Sequence, residues 1–128
     1  MPSSFRKERP QANTPKPLRV VPCLTRLTSG SDAEVTYVLS LEIWSDAFVI
    51  RYACVPGGPT RIRWRVEATD DLEKTYEFVG GSYEADPSLA TGRWTFRPTL
   101  SPLAGTLLLS VGRTDWSDSI PVALSLDL

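Results

Sequence analysis

The 128-residue chain contains no histidine. That removes the commonest general base, the commonest metal ligand and every Ser-His-Asp or Cys-His arrangement. Carboxylate, lysine, tyrosine or cysteine chemistry is left. No G-x-S-x-G, P-loop or G-x-G-x-x-G string is present to organise a nucleophile or cradle a phosphate. The expectation is a protein that is not an enzyme. Cysteine is scarce too, with only Cys23 and Cys54. Two cysteines without histidine make a poor zinc site, because tetrahedral sites draw on Cys and His in sets of four, or three plus water. In a reducing cytosol both are expected as free thiols packed like small hydrophobes, whereas export would allow a disulfide between them.

Long apolar runs are missing as well. Nothing approaches the roughly 18–20 residues that span a bilayer. The first 17 residues, MPSSFRKERPQANTPKP, have no apolar core of a secretory leader. If Met1 is the true start, the expected location is the cytoplasm. Helical periodicity fails after one or two turns everywhere, and no longer repeat suggests a solenoid or propeller.

What the chain does have is alternation. In residues 35–54, VTYVLSLEIWSDAFVIRYAC, apolar side chains fall at Val35, Tyr37, Leu39, Leu41 and Ile43, and again at Phe48, Ile50, Tyr52 and Cys54. A period of two puts such a set on one sheet face. The polar break at Ser45-Asp46 between two such runs predicts a β-hairpin. The same signal recurs at 18–24, with Pro22 marking an edge or bulge. It returns at 61–68, where Ile62, Trp64, Val66 and Ala68 are expected to point inward, and at 75–79. It appears again at 92–98, with Trp94 and Phe96 inward, at 106–112 and at 120–128. Turn chemistry separates these runs at 28–33, 56–59, 70–73, 101–105 and 115–119, and 80–90 reads as a loop. Eight short strands without helices predict an all-β fold, an antiparallel sandwich or small barrel, with an immunoglobulin-like β-sandwich of seven to eight strands as the first choice.

Composition bounds this to one domain, with 41% hydrophobic and 23% charged residues. Residues 1–17 carry Arg6, Lys7, Arg9 and Lys16 against Glu8, a charge of +3, although the whole chain is −1. The expected layout is a disordered basic arm over 1–17 and a single β domain over 18–128. Four dispersed basic residues would bind phosphates only weakly, so nucleic acid is not the expected partner.

Three features offer a surface or a site. Asp70, Asp71 and Glu73 place three carboxylates within one turn, where oxygen ligands could hold Ca2+, with Asp86, Asp115 or Asp118 joining them if the loops share an end. The plainer reading, which carries more weight, is a turn capped by aspartate. Arg61, Arg63 and Arg65 alternate outward on one strand, Arg93 and Arg97 on another, and Arg51 is in phase with Val49. Side by side they would make a basic face for an acidic partner. The plainer reading pairs them across strands with Glu42, Glu67 and Glu77. Trp44 is out of phase with its strand and Trp116 sits in a polar turn, so each is either an interface anchor or a cap on the core.

At Trp64…Asp70-Asp71…Tyr76 and Gly92-x-Trp94-x-Phe96-x-Pro98 the chain resembles bacterial immunoglobulin-like accessory domains of the DUF4352-like kind, over residues 35–111. Those domains often carry Gly after the Asp pair, where this chain has Leu72-Glu73. The resemblance implies a sandwich fold, mostly exported relatives and no shared activity. The functional expectation is therefore a non-catalytic protein-binding or scaffolding domain without a cofactor, either a small subunit of a larger assembly or a homo-oligomer. The alternative is a Ca2+- or carbohydrate-binding sandwich that uses its end loops. An enzyme working through carboxylates or an exposed, acidified cysteine is the third class.

Overall fold

The computed structural model describes residues 16–27, 34–56, 63–114 and 116–126. The 28–33 turn, most of the 56–59 break, Arg61, Ile62, Asp115 and nearly all of the basic arm lie outside the described residues. The elements are β1 (Arg19–Leu27), β2 (Val35–Ile43), β3 (Phe48–Val55), β4 (Trp64–Asp70), β5 (Thr75–Ala85), β6 (Ala90–Arg97), β7 (Thr106–Arg113) and β8 (Ile120–Ser125). Among the described residues there is no helix. The fold is all-β, and its antiparallel strands run in the order β1-β2-β3-β6-β5-β4-β7-β8 as one nearly closed, barrel-like sheet. The remaining seam lies between β1 and β8, where Arg19 Nη2 donates to the Leu126 carbonyl at 2.6 Å.

The interior is filled by the in-phase residues of most strands. Phe48, Ile50, Tyr52, Trp94, Phe96, Leu107 and Val111 are all buried. Phe48 stacks on Phe96 at 5.0 Å and meets Tyr76 edge-on at 5.1 Å, while Tyr52 stacks on Trp94 at 4.5 Å. Such pairs add to the stability that burial alone provides. Trp64 remains half-buried at the margin of this core.

Two expectations need correction. The first is the phase of β2. Its buried residues are Thr36, Val38 and Leu41, not the set that includes Val35, Tyr37 and Leu39. The cause is a bulge: the register with β3 slips between Val38 and Ser40, so Leu39 is an extra residue. β1 slips opposite it, between Pro22 and Thr25. One inserted residue inverts which parity faces the core, so Val35 and Tyr37 belong to the outer surface.

The second correction concerns β5, which does not stop at Val79 but continues to Ala85. It first pairs with β4 through Ala68–Tyr76 and Thr69–Thr75. It then runs along β6 from Glu77 to Ala85, with a slip between Phe78 and Gly80. Gly80 holds φ +125°, a left-handed value open to glycine and hardly to other residues. A Cβ on Gly81 would lie 2.1 Å from the Arg93 carbonyl oxygen. The glycine pair that reads as a loop is thus a bulge inside a continuous strand, placed after β5 has begun to pair with β6.

Gly81→Ala is expected to lower stability by about 1–3 kcal/mol or more, because backbone cannot yield to the new methyl. Gly105→Ala, whose Cβ would meet only a side-chain oxygen of Asp71 at 3.2 Å, is expected to cost less. Urea unfolding of the two variants makes the comparison.

Candidate functional site

The acidic turn between β4 and β5 is assembled inward. Asp70 is only 2% exposed. Its Oδ1 accepts from the backbone N–H of Leu72 and of Lys74, both at 2.9 Å, and its Oδ2 accepts from the Tyr76 hydroxyl at 2.7 Å. Tyr76 Oη in turn accepts from Ser101 N at 3.2 Å. Burial pushes the Asp70 carboxyl upward, but the hydrogen bonds from Lys74, Tyr76 and Leu72 outweigh it and hold it below the ordinary value. Burial, and then the neighbouring Asp70, raise the Tyr76 phenol, while Ser101 N works against them.

Asp71 is directed elsewhere, its two oxygens accepting from Gly105 N at 3.0 and 3.3 Å. Glu73 sits exposed at φ +67°. This is a left-handed conformation that glycine adopts readily and other residues seldom do. Asp86 caps its own loop through Ser88 N and Oγ, both at 2.9 Å, which lowers its carboxyl. Among the described residues, no three of these acidic or cysteine side chains converge closely enough to hold a metal ion.

The opposite end carries a cluster that the sequence did not signal. Arg113, the last residue of β7, is 4% exposed. Its guanidinium lies 5.4 Å from the Trp64 ring and 5.2 Å from the Trp116 ring, and its Nη1 donates to Glu34. Trp64 and Trp116 meet edge-on at 5.6 Å. Trp116 therefore clasps a buried cation. The only signal available was an arginine ending an apolar strand three residues before a tryptophan. Trp44 braces the hairpin: its Nε1 donates to Glu42 Oε1 at 3.3 Å, and its carbonyl accepts from Thr99 Oγ1 at 2.5 Å.

The arginines divide between two places. β3 and β6 are neighbours, and Arg51 stands directly opposite Arg93. Arg97 lies opposite Glu77 of β5. Arg63 and Arg65 are exposed beside β7, away from β6, and Arg61 lies outside the described residues. The outer face of β1-β2-β3-β6-β5 is therefore the surface that gathers charge. Across it run the rows Arg26, Tyr37, Ala53, Thr91, Glu84 and Pro22, Ser40, Arg51, Arg93, Ser82, followed by Val20, Glu42, Val49, Thr95, Gly80. Arg51 Nε donates to Glu42 Oε2 at 2.5 Å.

Cys23 and Cys54 are not joined in a disulfide. Cys54 is buried against Thr36 Oγ1 at 3.5 Å. Burial raises the Cys23 thiol above its ordinary value, although a Leu41 backbone hydrogen bond opposes this; reactive thiols are shifted the other way. An apolar cavity of about 430 Å³ lies at the seam, lined by Leu18, Ile43, Leu100, Pro102, Ala104 and Leu126. No helix among the described residues is long and apolar enough to cross a membrane.

The Asp70 carboxyl, lowered on folding, contributes stability that is present above its ordinary pKa and is lost as pH falls through the lowered value. Asp70→Asn is therefore expected to weaken the fold at neutral pH and to lose less stability on acidification than the parent. Tyr76→Phe, which unpairs Asp70 Oδ2 and Ser101 N, is expected to cost about 1–3 kcal/mol. Chemical denaturation repeated from neutral to acidic pH tests both.

Arg113→Ala strands a carboxylate and empties the space between two indoles, and is expected to cost roughly 3–5 kcal/mol. Arg113→Met combined with Glu34→Leu is expected to recover much of that loss, since an apolar pair of similar volume often replaces a buried ion pair. Thermal melts of the single and double variants decide it.

No protein-family model matches the chain, and a search of curated proteins finds no match. Among solved structures it is similar to the crystal structure of the conserved domain protein from Bacillus anthracis, at TM-score 0.54 and 14% identity. The likeness covers 85% of this chain and 50% of that one, so the chain spans about half of that protein's length. At that identity the likeness concerns the fold alone.

Proposed function

We propose that the chain is a non-catalytic protein-binding domain, a small subunit or module of a larger assembly, which docks its partner on the outer face of β1-β2-β3-β6-β5. The observation that carries this reading is the mixture on that face. Val20 (51% exposed), Leu24 (73%), Val55 and Val79 lie on it or at its bulges, with Tyr37, Leu39 and Val49 half-exposed among Arg26, Arg51, Arg93 and Arg97. Exposed apolar side chains interleaved with tyrosine and arginine are what protein interfaces use. The two strands at the ends of the sheet order favour face docking over strand addition. Edge strand β1 carries Pro22 and a bulge, and edge strand β8 carries Pro121, devices that discourage a further strand from pairing.

We also read β1-β2-β3-β6-β5 and β4-β7-β8 as the two layers of an immunoglobulin-like sandwich, kin to the DUF4352-like domains. The support is that only two residue pairs join β4 to β5.

Tagged protein at native expression level, cross-linked and recovered, is expected to retain a stoichiometric protein. Leu24→Asp combined with Tyr37→Asp, with an unchanged melting midpoint, is expected to lose it. Recovery of no stoichiometric protein, together with monomeric sedimentation, would overturn the reading.

A further inference from the structure

Resting on that protein-binding reading, we propose that Arg51 and Arg93 form a clamp for a carboxylate presented by the protein partner. The two stand as direct cross-strand neighbours on the outer face. Like charges so placed are unfavourable, and the usual remedy is a carboxylate on the adjoining strand. Here the remedy is incomplete on both sides. On β2, Glu42 accepts from Arg51 Nε with one oxygen and from Trp44 Nε1 with the other. Its side chain is 12% exposed, so this carboxylate is already committed. On β5, the position facing Arg93 is Ser82, whose Oγ accepts from Arg93 Nε at 3.1 Å.

Both guanidinium groups are thus held at the inner nitrogen, Nε. Among the described residues, the terminal Nη groups of Arg51 and Arg93 have no hydrogen-bond or ion-pair partner. A guanidinium donates through a rigid planar fork that matches the two oxygens of a carboxylate. Two such groups, side by side and each fixed at its base, are organised before any anion arrives. Their mutual repulsion is relieved when one does.

The rest of the face selects the source of the anion. Glu42, Glu77 and Glu84 share it, and a polyanion such as a nucleic-acid backbone would meet them repeatedly. Val20, Tyr37 and Val49 border the arginines and suit a protein surface.

The test is a titration of the isotopically labelled full chain with a capped hexapeptide alternating Glu and Leu, followed by NMR. Saturable shifts are expected at the Arg51 and Arg93 Nε–H resonances and at residues 91–95, with none from the same peptide carrying Gln for Glu. Arg51→Lys combined with Arg93→Lys keeps the charge and removes the fork. With an unchanged melting midpoint, it is expected to weaken binding about tenfold or more. Equal binding by the double lysine variant would overturn the clamp. So would shifts that bypass both arginines, or tighter binding of inorganic phosphate or a short DNA duplex at the same resonances. The outcomes separate from those of the docking face. A captured partner kept by the double lysine variant but lost by Leu24→Asp/Tyr37→Asp sinks the clamp and leaves the docking surface standing.

Discussion

Two residue pairs, Ala68–Tyr76 and Thr69–Thr75, are all that join β4 to β5, and a buried carboxylate closes the turn beside them. Asp70 gathers the turn's own N–H groups on one oxygen and the Tyr76 hydroxyl on the other. Through that hydroxyl it reaches Ser101, in the connection between β6 and β7. Asp71 extends the same junction, its N–H donating to the Thr106 carbonyl and its carboxylate accepting from Gly105. A buried charge is tolerable only when its lone pairs are filled, and here they are filled by two N–H groups of the turn and the Tyr76 hydroxyl of β5. The turn that closes β5 on β4 and the placement of the β6–β7 connection are both held through this one side chain.

The surface that gathers the arginines follows from that junction. β5 leaves β4 after two residue pairs and lies along β6 from Glu77 to Ala85. The outer face from β1 to β5 is then broad enough to bring Arg51, Arg93 and Arg97 together with the apolar residues of β1 and β2. Arg63 and Arg65, on β4, are on the other side of the break. Exposed arginines of similar sequence pattern therefore have different neighbours, for reasons of topology alone.

The number and type of strands were legible in the sequence because alternation and turn chemistry are local signals. The parity of β2 was not. Val35, Tyr37 and Leu39 alternate with Leu41 and Ile43 in unbroken rhythm, and only the partner strands reveal that Leu39 is extra. Gly80-Gly81 misled for a related reason, since a glycine pair marks a turn and a bulge equally well. Asp70 was picked out as a candidate metal ligand, but its burial and its Tyr76 partner depend on how β5 returns. Arg113 went unnoticed because its partner Glu34 is distant in sequence. What escaped the sequence was in each case a relation between strands.

The seam between β1 and β8 has a mechanical meaning. A ladder of backbone bonds shares strain along its length and gives way only as a unit. Here, among the described residues, the hydrogen bond that ties the two margins comes from one long, bendable side chain, Arg19 on the Leu126 carbonyl, above an apolar hollow. Such a join can part while every other strand pair keeps its bonds, since local opening draws on the least supported contacts first. The barrel-like sheet is therefore expected to open locally at this seam without disturbing the Asp70 junction.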